Sequence, residues 1–160
     1  MFDDLVEGNR RYVAGFTFAA VPSRPARRLA VLCCIDSRID PLQILGVSVG
    51  DVKVLRNAGA RVTPDVLRSL AAAVSILGVE RVAVMHHTDC AMTRVTNDDI
   101  VEAIERRGGT ATMLDFDVIS DEKEDLRDDV DRIRDNSMLS GVPVAGFRYD
   151  VHTGELHREV

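Results

Sequence analysis

Short runs of apolar residues, separated by stretches with helical spacing, organise the chain. The runs at Leu29 to Ile35, Val52 to Arg56 and Arg81 to Met85 have the length of single strands, and the first is almost entirely apolar. Strands of that kind lie in the middle of a parallel sheet, where both faces are covered. Two further runs, Pro143 to Tyr149 and Glu155 to Val160, flank a turn and predict a hairpin at the sheet edge.

Apolar residues at helical spacing fill the segments between the strands. The clearest helix starts at Thr63-Pro64, an N-cap followed by proline at the first helical position, and is predicted to close at Gly78. Other helices are predicted at residues 2–14, 98–107 and 121–135, and a short helix or turn at residues 41–45. Strands alternating with helices predict a single α/β domain, with a mostly parallel central sheet flanked by helices and an antiparallel edge strand.

The first 28 residues differ from the rest. Residues 2–14 form an amphipathic helical pattern with no adjoining strand to cover, and Val21 to Arg28 contains two prolines and three arginines, which favours an extended arm. We therefore divide the chain into an N-terminal helical arm, residues 1–28, and an α/β domain, residues 29–160.

Composition and charge exclude several classes of protein. The net charge of the 160 residues is -6, and the segment from Asp121 to Asp135 carries much of it, as expected of a solvated helix face. No basic, aromatic-rich segment predicts a nucleic-acid surface, and no apolar run approaches the roughly 20 residues of a membrane span. The start of the sequence lacks the features of a secretory signal, so a cytoplasmic location is expected.

Candidate chemistry lies where two of the apolar runs end. Cys34 closes the first run and is followed by Asp36 and Arg38, while His87 and Cys90 follow the run that ends at Met85. Open α/β sheets bind ligands at the carboxyl ends of their strands. Two thiolates and one imidazole suit Zn2+, and three protein ligands leave a fourth position for water or substrate, as in catalytic sites.

Each of these residues also has a structural interpretation. A buried cysteine is most often a small hydrophobic residue, H-x-x-C alone is a weak pattern, and Asp-x-Arg is often only a salt bridge. Cys33 alternates with Cys34 along the strand and is expected to pack in the core. His86 is a rival ligand to His87, but an exposed structural role is expected for the histidines outside the motif: His86, His152 and His157.

At these residues the chain resembles the β-class carbonic anhydrases, and in particular their compact archaeal and actinobacterial branch. The family's C-x-D-S-R and H-x-x-C motifs stand at Cys34 to Arg38 and at His87 to Cys90. Similar stretches extend the likeness to nearly the whole chain: Gly8 to Tyr12, Gly50 to Gly59 and Tyr149 to Leu156. The resemblance implies reversible hydration of carbon dioxide to bicarbonate and a proton by a zinc-bound hydroxide.

The resemblance also implies a role for each site residue. It makes Cys34, His87 and Cys90 the zinc ligands. It makes Asp36 either a hydrogen-bond acceptor for the zinc-bound water or a fourth ligand that closes the site, with Arg38 holding the carboxylate off the metal. It further implies four substrate-binding residues, partly through backbone amides: Ser37, Asn57, Ala58 and Gly59.

The resemblance implies a homodimer or tetramer in which the N-terminal helix reaches a second subunit. Two positions depart from the family pattern: Ala60, where glycine or asparagine is common, and Ala91, where glycine is usual. Neither departure removes a ligand. Two other functions would use the same residues. One is zinc-dependent hydrolysis of carbon disulfide or carbonyl sulfide, and the other is a regulatory or assembly role for a zinc-binding protein without catalysis.

Overall fold

The protein is built on one five-stranded mixed sheet. The computed structural model describes residues 1–111 and 115–160. The sheet has the order β2-β1-β3-β4-β5, with the first four strands parallel and β5 antiparallel to β4. The strands are β1 Leu29–Cys34, β2 Val52–Asn57, β3 Arg81–His87, β4 Val144–Tyr149 and β5 Leu156–Arg158. The predicted α/β architecture with an antiparallel edge strand is therefore confirmed.

The described residues form five α-helices. They are α1 Asp3–Ala14, α2 Pro41–Ile44, α3 Pro64–Ser75, α4 Asn97–Arg106 and α5 Glu122–Arg134. The Thr63 side chain accepts a hydrogen bond from the amide of Val66, so the predicted start of α3 is correct. The predicted end at Gly78 is wrong, because Ile76 already leaves the helical conformation and Gly78 lies in the following loop.

The core lies between the central strands and the helices. Every residue of β1 after Leu29 and every residue of β3 after Arg81 is buried, as expected for strands covered on both faces. Helix α5 packs closely against β4, since a Cβ on Gly146 would lie 3.1 Å from Leu126 Cγ and from Val130 Cγ2. This packing fixes α5 relative to the strands that carry the candidate site.

One side chain of α5 contradicts the expected solvated acidic face. Asp129 is completely buried, although most of the other acidic residues of the helix are exposed. The helix turns this carboxylate toward the sheet together with the apolar stripe of Leu126, Val130 and Ile133. A buried carboxylate requires compensating partners, which are described below.

The N-terminal arm covers little of the domain. None of the residues of α1, all of which lie in the described part of the chain, is buried, and its apolar side chains face outward. The end of the arm runs along the domain, where Ala26 and Arg27 donate backbone hydrogen bonds to Gly50 and Asp51. Within residues 1–111 and 115–160, no helix has the length and apolar character needed to cross a membrane.

Candidate metal centre

Adjacent parallel strands bring the candidate ligands to one end of the sheet. Cys34 is the last residue of β1 and His87 the last of β3, and the two strands pair directly. A turn with Asp89 at φ 55° then returns the chain so that Cys90 faces the same site. The carboxyl ends of β1 and β3 therefore meet as the sequence predicts.

The three ligand atoms form one compact, buried group. The ligand atoms of Cys34, His87 and Cys90 all lie within 4.8 Å of one another, and the two sulfurs are 4.0 Å apart. Tetrahedral zinc with Zn–S bonds of about 2.3 Å separates two thiolates by about 3.8 Å. The arrangement fits a zinc ion without movement of the backbone.

Hydrogen bonding directs His87 toward that group. Its Nδ1 lies 2.9 Å from the carbonyl oxygen of Thr88, which requires the tautomer with the proton on Nδ1. Its buried Nε2 has no hydrogen-bond partner among the described residues. A free lone pair beside two cysteines is what a metal ligand needs, and a backbone partner on the other nitrogen is typical of such ligands.

The two thiols form one hydrogen-bonded pair. A hydrogen bond between the two sulfurs lowers the pKa of Cys34 against the opposing effect of burial, and the backbone amides of Asp36 and Gly59 lower it further. The same contact and burial raise the pKa of Cys90. Burial disfavours the imidazolium of His87, but the neighbouring Cys34 thiolate raises its pKa overall. A divalent cation would displace the proton of this hydrogen bond and satisfy both sulfurs.

An ion-pair chain stands beside the ligands. The Arg38 guanidinium donates to both carboxylate oxygens of Asp36, through Nε at 3.0 Å and Nη2 at 2.7 Å. Its Nη1 also donates to Asp89 at 2.8 Å, and Asp89 pairs in turn with Arg94. The hydrogen bonds from Arg38 hold the pKa of Asp36 well below its usual range, so this carboxylate is ionised and held in a fixed direction.

A tight loop after β2, Ala58 to Arg61, contacts the ligand Cys34. The Gly59 amide donates to Cys34 Sγ at 3.4 Å, and Gly59 has a φ of 77° that favours glycine. The Asn57 side chain donates to the carbonyl of Arg61 at 2.7 Å, so it supports the loop. Ala58 is half-buried beside it, while Ser37 is exposed in the turn between Asp36 and Arg38.

Arg56 is a site residue that the sequence reasoning did not single out. Its guanidinium donates to the carbonyl oxygens of Cys34 and Asp36, at 2.9 and 2.8 Å, and so fixes the backbone that carries both side chains. The arginine stands within the stretch Gly50 to Gly59 that carries the family likeness, which is the signal that could have identified it.

The other cysteine and histidines lie apart from the ligand group. Cys33 is completely buried on the opposite side of β1, as predicted, and burial raises its pKa to about 11. His152 and His157 are exposed, also as predicted. The expectation for His86 is wrong, because it is buried and its Nε2 lies 3.1 Å from Asp129. Alternation along β3 points His86 away from His87, so it is not part of the ligand group.

Comparison with known proteins agrees with this geometry. The family model described as carbonic anhydrase matches residues 29–156. Beta-carbonic anhydrase 1 of Mycobacterium tuberculosis is 36% identical, over 97% of this chain and 95% of that protein. The crystal structure of carbonic anhydrase from Streptococcus mutans superposes with a TM-score of 0.93 at 35% identity, covering 99% of this chain and 97% of that one.

A related activity occurs among the similar proteins. The carbon disulfide hydrolase of Acidianus sp. is 30% identical, over 73% of this chain and 58% of that protein. The match to the Mycobacterium tuberculosis protein is both higher in identity and more complete. The chain belongs to the β-class carbonic anhydrase family.

Proposed function

We propose that the protein catalyses the zinc-dependent reversible hydration of carbon dioxide, CO2 + H2O giving bicarbonate and a proton. The observation that carries this proposal is the buried group of Cys34, His87 and Cys90 with an oriented carboxylate, Asp36, beside it. Three ligands leave the fourth position of a tetrahedral ion for a reactant. Relatives named β-carbonic anhydrase, matched over nearly their whole length, support the assignment.

Cys34, His87 and Cys90 would hold the zinc ion. When bound, zinc acts as a Lewis acid that lowers the pKa of a water toward about 7 and so provides a nucleophile near neutral pH. The role of the protein is to bind the ion through soft ligands, to exclude other ligands and to orient the reactants around it.

Asp36 would orient the reacting water by accepting a hydrogen bond from it. The Arg38 guanidinium holds both oxygens of this carboxylate, so the carboxylate stays available in one direction and is kept from becoming a fourth metal ligand. Asp89 occupies the remaining edge of the same guanidinium and limits its rotation.

Four further residues are proposed as substrate contacts: Ser37, Asn57, Ala58 and Gly59. The Gly59 amide donates to Cys34 Sγ. We propose that Gly59 lies beside the substrate while its N–H remains bonded to the sulfur of this zinc ligand. The side chain of Asn57 donates to the carbonyl of Arg61, so we propose that its contact with substrate is made by the backbone. Carbon dioxide is small and has no net charge. A site made of backbone dipoles and small side chains therefore suits its recognition.

Carbon disulfide hydrolysis is a second candidate, favoured by the relatives that carry that name. The same ligands and the same oriented carboxylate would serve it. The two activities are separated by measuring sulfide release from carbon disulfide and bicarbonate formation from carbon dioxide with the same preparation.

We also propose that α1 forms the contact between subunits of a dimer. Apolar side chains of this helix, including Phe2, Leu5 and Val13, are exposed by more than half. The domain in turn has an uncovered groove of about 290 Å3 lined by apolar residues such as Ala83, Ala145 and Phe147. Covering both surfaces removes apolar area from water, which is the usual driving force of association.

The test of the catalytic proposal combines metal analysis with stopped-flow CO2 hydration. Purified protein is expected to contain one zinc per chain and to hydrate CO2, and a chelator is expected to remove both the zinc and the activity. Replacing Cys90→Ala should abolish zinc binding, whereas Cys33→Ala, which changes a buried thiol outside the ligand group, should retain it. Zinc-loaded protein without hydratase activity from neutral to alkaline pH would favour the non-catalytic role.

A further inference from the structure

A buried polar cluster lies on the other side of β3 from the ligand group. We call it the Asp129 cluster; it comprises Asp129, Arg61, His86 and Asp125. Asp129 is completely buried, and the side chains of Arg61 and His86 are 4% and 3% exposed. Taking such groups out of water carries a large desolvation penalty, which is offset only if their partners are held in place.

The Asp129 carboxylate joins three separate segments. Its Oδ2 lies 3.1 Å from Arg61 Nε and 3.1 Å from His86 Nε2, while its Oδ1 accepts from the amide of Val62 at 2.8 Å. Arg61 Nη1 also lies 2.6 Å from Asp125. The arginine contacts are close ion pairs rather than aligned hydrogen bonds, so charge fixes the position of the guanidinium.

Arg61 connects this cluster to the loop that contacts Cys34. Gly59 and Ala60 both have positive φ, 77° and 59°, and a non-glycine residue in that region stores backbone strain. The Arg61 Cγ would lie 3.3 Å from a Cβ on Gly59, so its side chain passes directly beneath the loop. The Arg61 carbonyl accepts from the side chain of Asn57, which closes the loop on itself. The strained loop is thus held by the anchored arginine.

His86 connects the cluster to the strand of His87. The two histidines are neighbours on β3, and alternation places one toward Asp129 and the other toward the ligand group. The same carboxylate therefore anchors the strand that carries one ligand and the loop that contacts another.

We propose that Asp129 is a positioning residue for the metal centre. Through Arg61 it holds the Gly59 amide on the Cys34 sulfur, and through His86 it fixes the end of β3 next to His87. An amide donating to a thiolate withdraws charge from the sulfur, so the cluster sets both the affinity of the site for a divalent metal and the electron donation from Cys34. This inference rests on the proposed metal site and adds to it a group that touches neither metal nor substrate.

The test compares Asp129→Asn with Val130→Ala. The asparagine keeps the size of the side chain and an acceptor for Val62 but removes the charge that holds Arg61 and His86. Val130 is the next residue of α5 and is fully buried against Gly146, so its truncation lowers stability without changing the cluster. Zinc affinity is measured by competition with a chelator, and the thiolate-to-metal charge-transfer band is recorded for the cobalt(II)-substituted proteins.

Asp129→Asn is expected to weaken zinc binding by about 10-fold or more and to shift the cobalt band, as loss of an outer partner does at other metal sites. Val130→Ala is expected to change neither. If both variants match the wild-type protein, or if both lose affinity in proportion to their lost stability, the positioning role is wrong.

A second variant keeps the proposal testable if Asp129→Asn does not fold. Asp125, whose side chain is 14% exposed, is the outer partner of Arg61, and Asp125→Asn should cause a smaller loss of zinc affinity in the same direction. Unchanged affinity in Asp125→Asn together with an unfolded Asp129→Asn would overturn the inference. A wild-type protein that fails to bind zinc would instead overturn the proposed function, so the two failures are distinguishable.

Discussion

The substitution Gly59→Ala tests how closely the loop that contacts Cys34 is packed against its neighbours. At φ 77° an alanine pays about 1–2 kcal/mol for the left-handed conformation. Its Cβ would also lie 3.3 Å from Arg61 Cγ and 3.4 Å from side-chain carbons of Ile119 and Met92. Crowding of that kind adds about 1 kcal/mol, for a total loss of unfolding free energy of about 2–3 kcal/mol.

Gly141→Ala is the matched control. Gly141 has φ 78° and is exposed, and a Cβ there would meet nothing within 4 Å in the described structure. This variant should lose only the cost of the left-handed backbone conformation, about 1–2 kcal/mol of unfolding free energy. Urea unfolding of the metal-free proteins gives both free energies, and the difference between them measures the crowding at Gly59 alone.

Zinc affinity separates the effect on the site from the effect on stability. Gly59→Ala places its Cβ against three side chains that are packed on the loop, and we expect the loop to shift in response, which draws the Gly59 amide away from Cys34 Sγ. We expect a loss of zinc affinity of about 10-fold in Gly59→Ala and none in Gly141→Ala. Equal stability losses in the two variants, with unchanged zinc affinity in both, would refute the idea that the loop is packed against the ligand.

Three further predictions concern the ion pairs, the buried thiol and the arm. Arg38→Ala should retain zinc, as measured by metal analysis, while CO2 hydration collapses because Asp36 is no longer held; Arg68→Ala, which breaks an exposed pair on α3, should keep full activity. Full activity in the first variant would contradict the orienting role. Because burial raises the folded pKa of Cys33 to about 11, its contribution to stability is complete below the unfolded value near 9 and is lost as pH rises toward 11. Cys33→Ala should therefore flatten the fall in unfolding free energy over that interval, and an unchanged slope would count against it. Deleting residues 1–15 should convert a dimer to a monomer in sedimentation, and a truncated chain that still sediments as a dimer would exclude α1 as the contact.

The sequence predicted those features that depend on local pattern. Apolar runs gave the strands because a buried parallel strand needs apolar residues on both faces, and Thr63-Pro64 gave the start of α3 because capping is a local effect. The meeting of Cys34 with His87 followed from the rule that neighbouring parallel strands end at one edge.

The buried charges could not be predicted in the same way. Asp129 stands in a helix whose other acidic residues are mostly exposed, and its burial depends on partners from β3 and from the loop after β2. For His86, likewise, the local sequence does not decide whether the side chain meets solvent or a helix. Its burial follows from the contact with Asp129 of α5. Such contacts join residues far apart in the chain, and no local pattern records them.

The spacing of the two thiols along the chain has a consequence for folding. Cys34 and Cys90 are 56 positions apart, yet their sulfurs lie 4.0 Å from each other. A metal bound between them would act as a removable cross-link, comparable to a disulfide that closes a loop of this length and restricts the unfolded chain by about 4 kcal/mol. Resistance to unfolding would then rise and fall with the supply of the ion, so cells short of that metal would hold a chain that opens more readily.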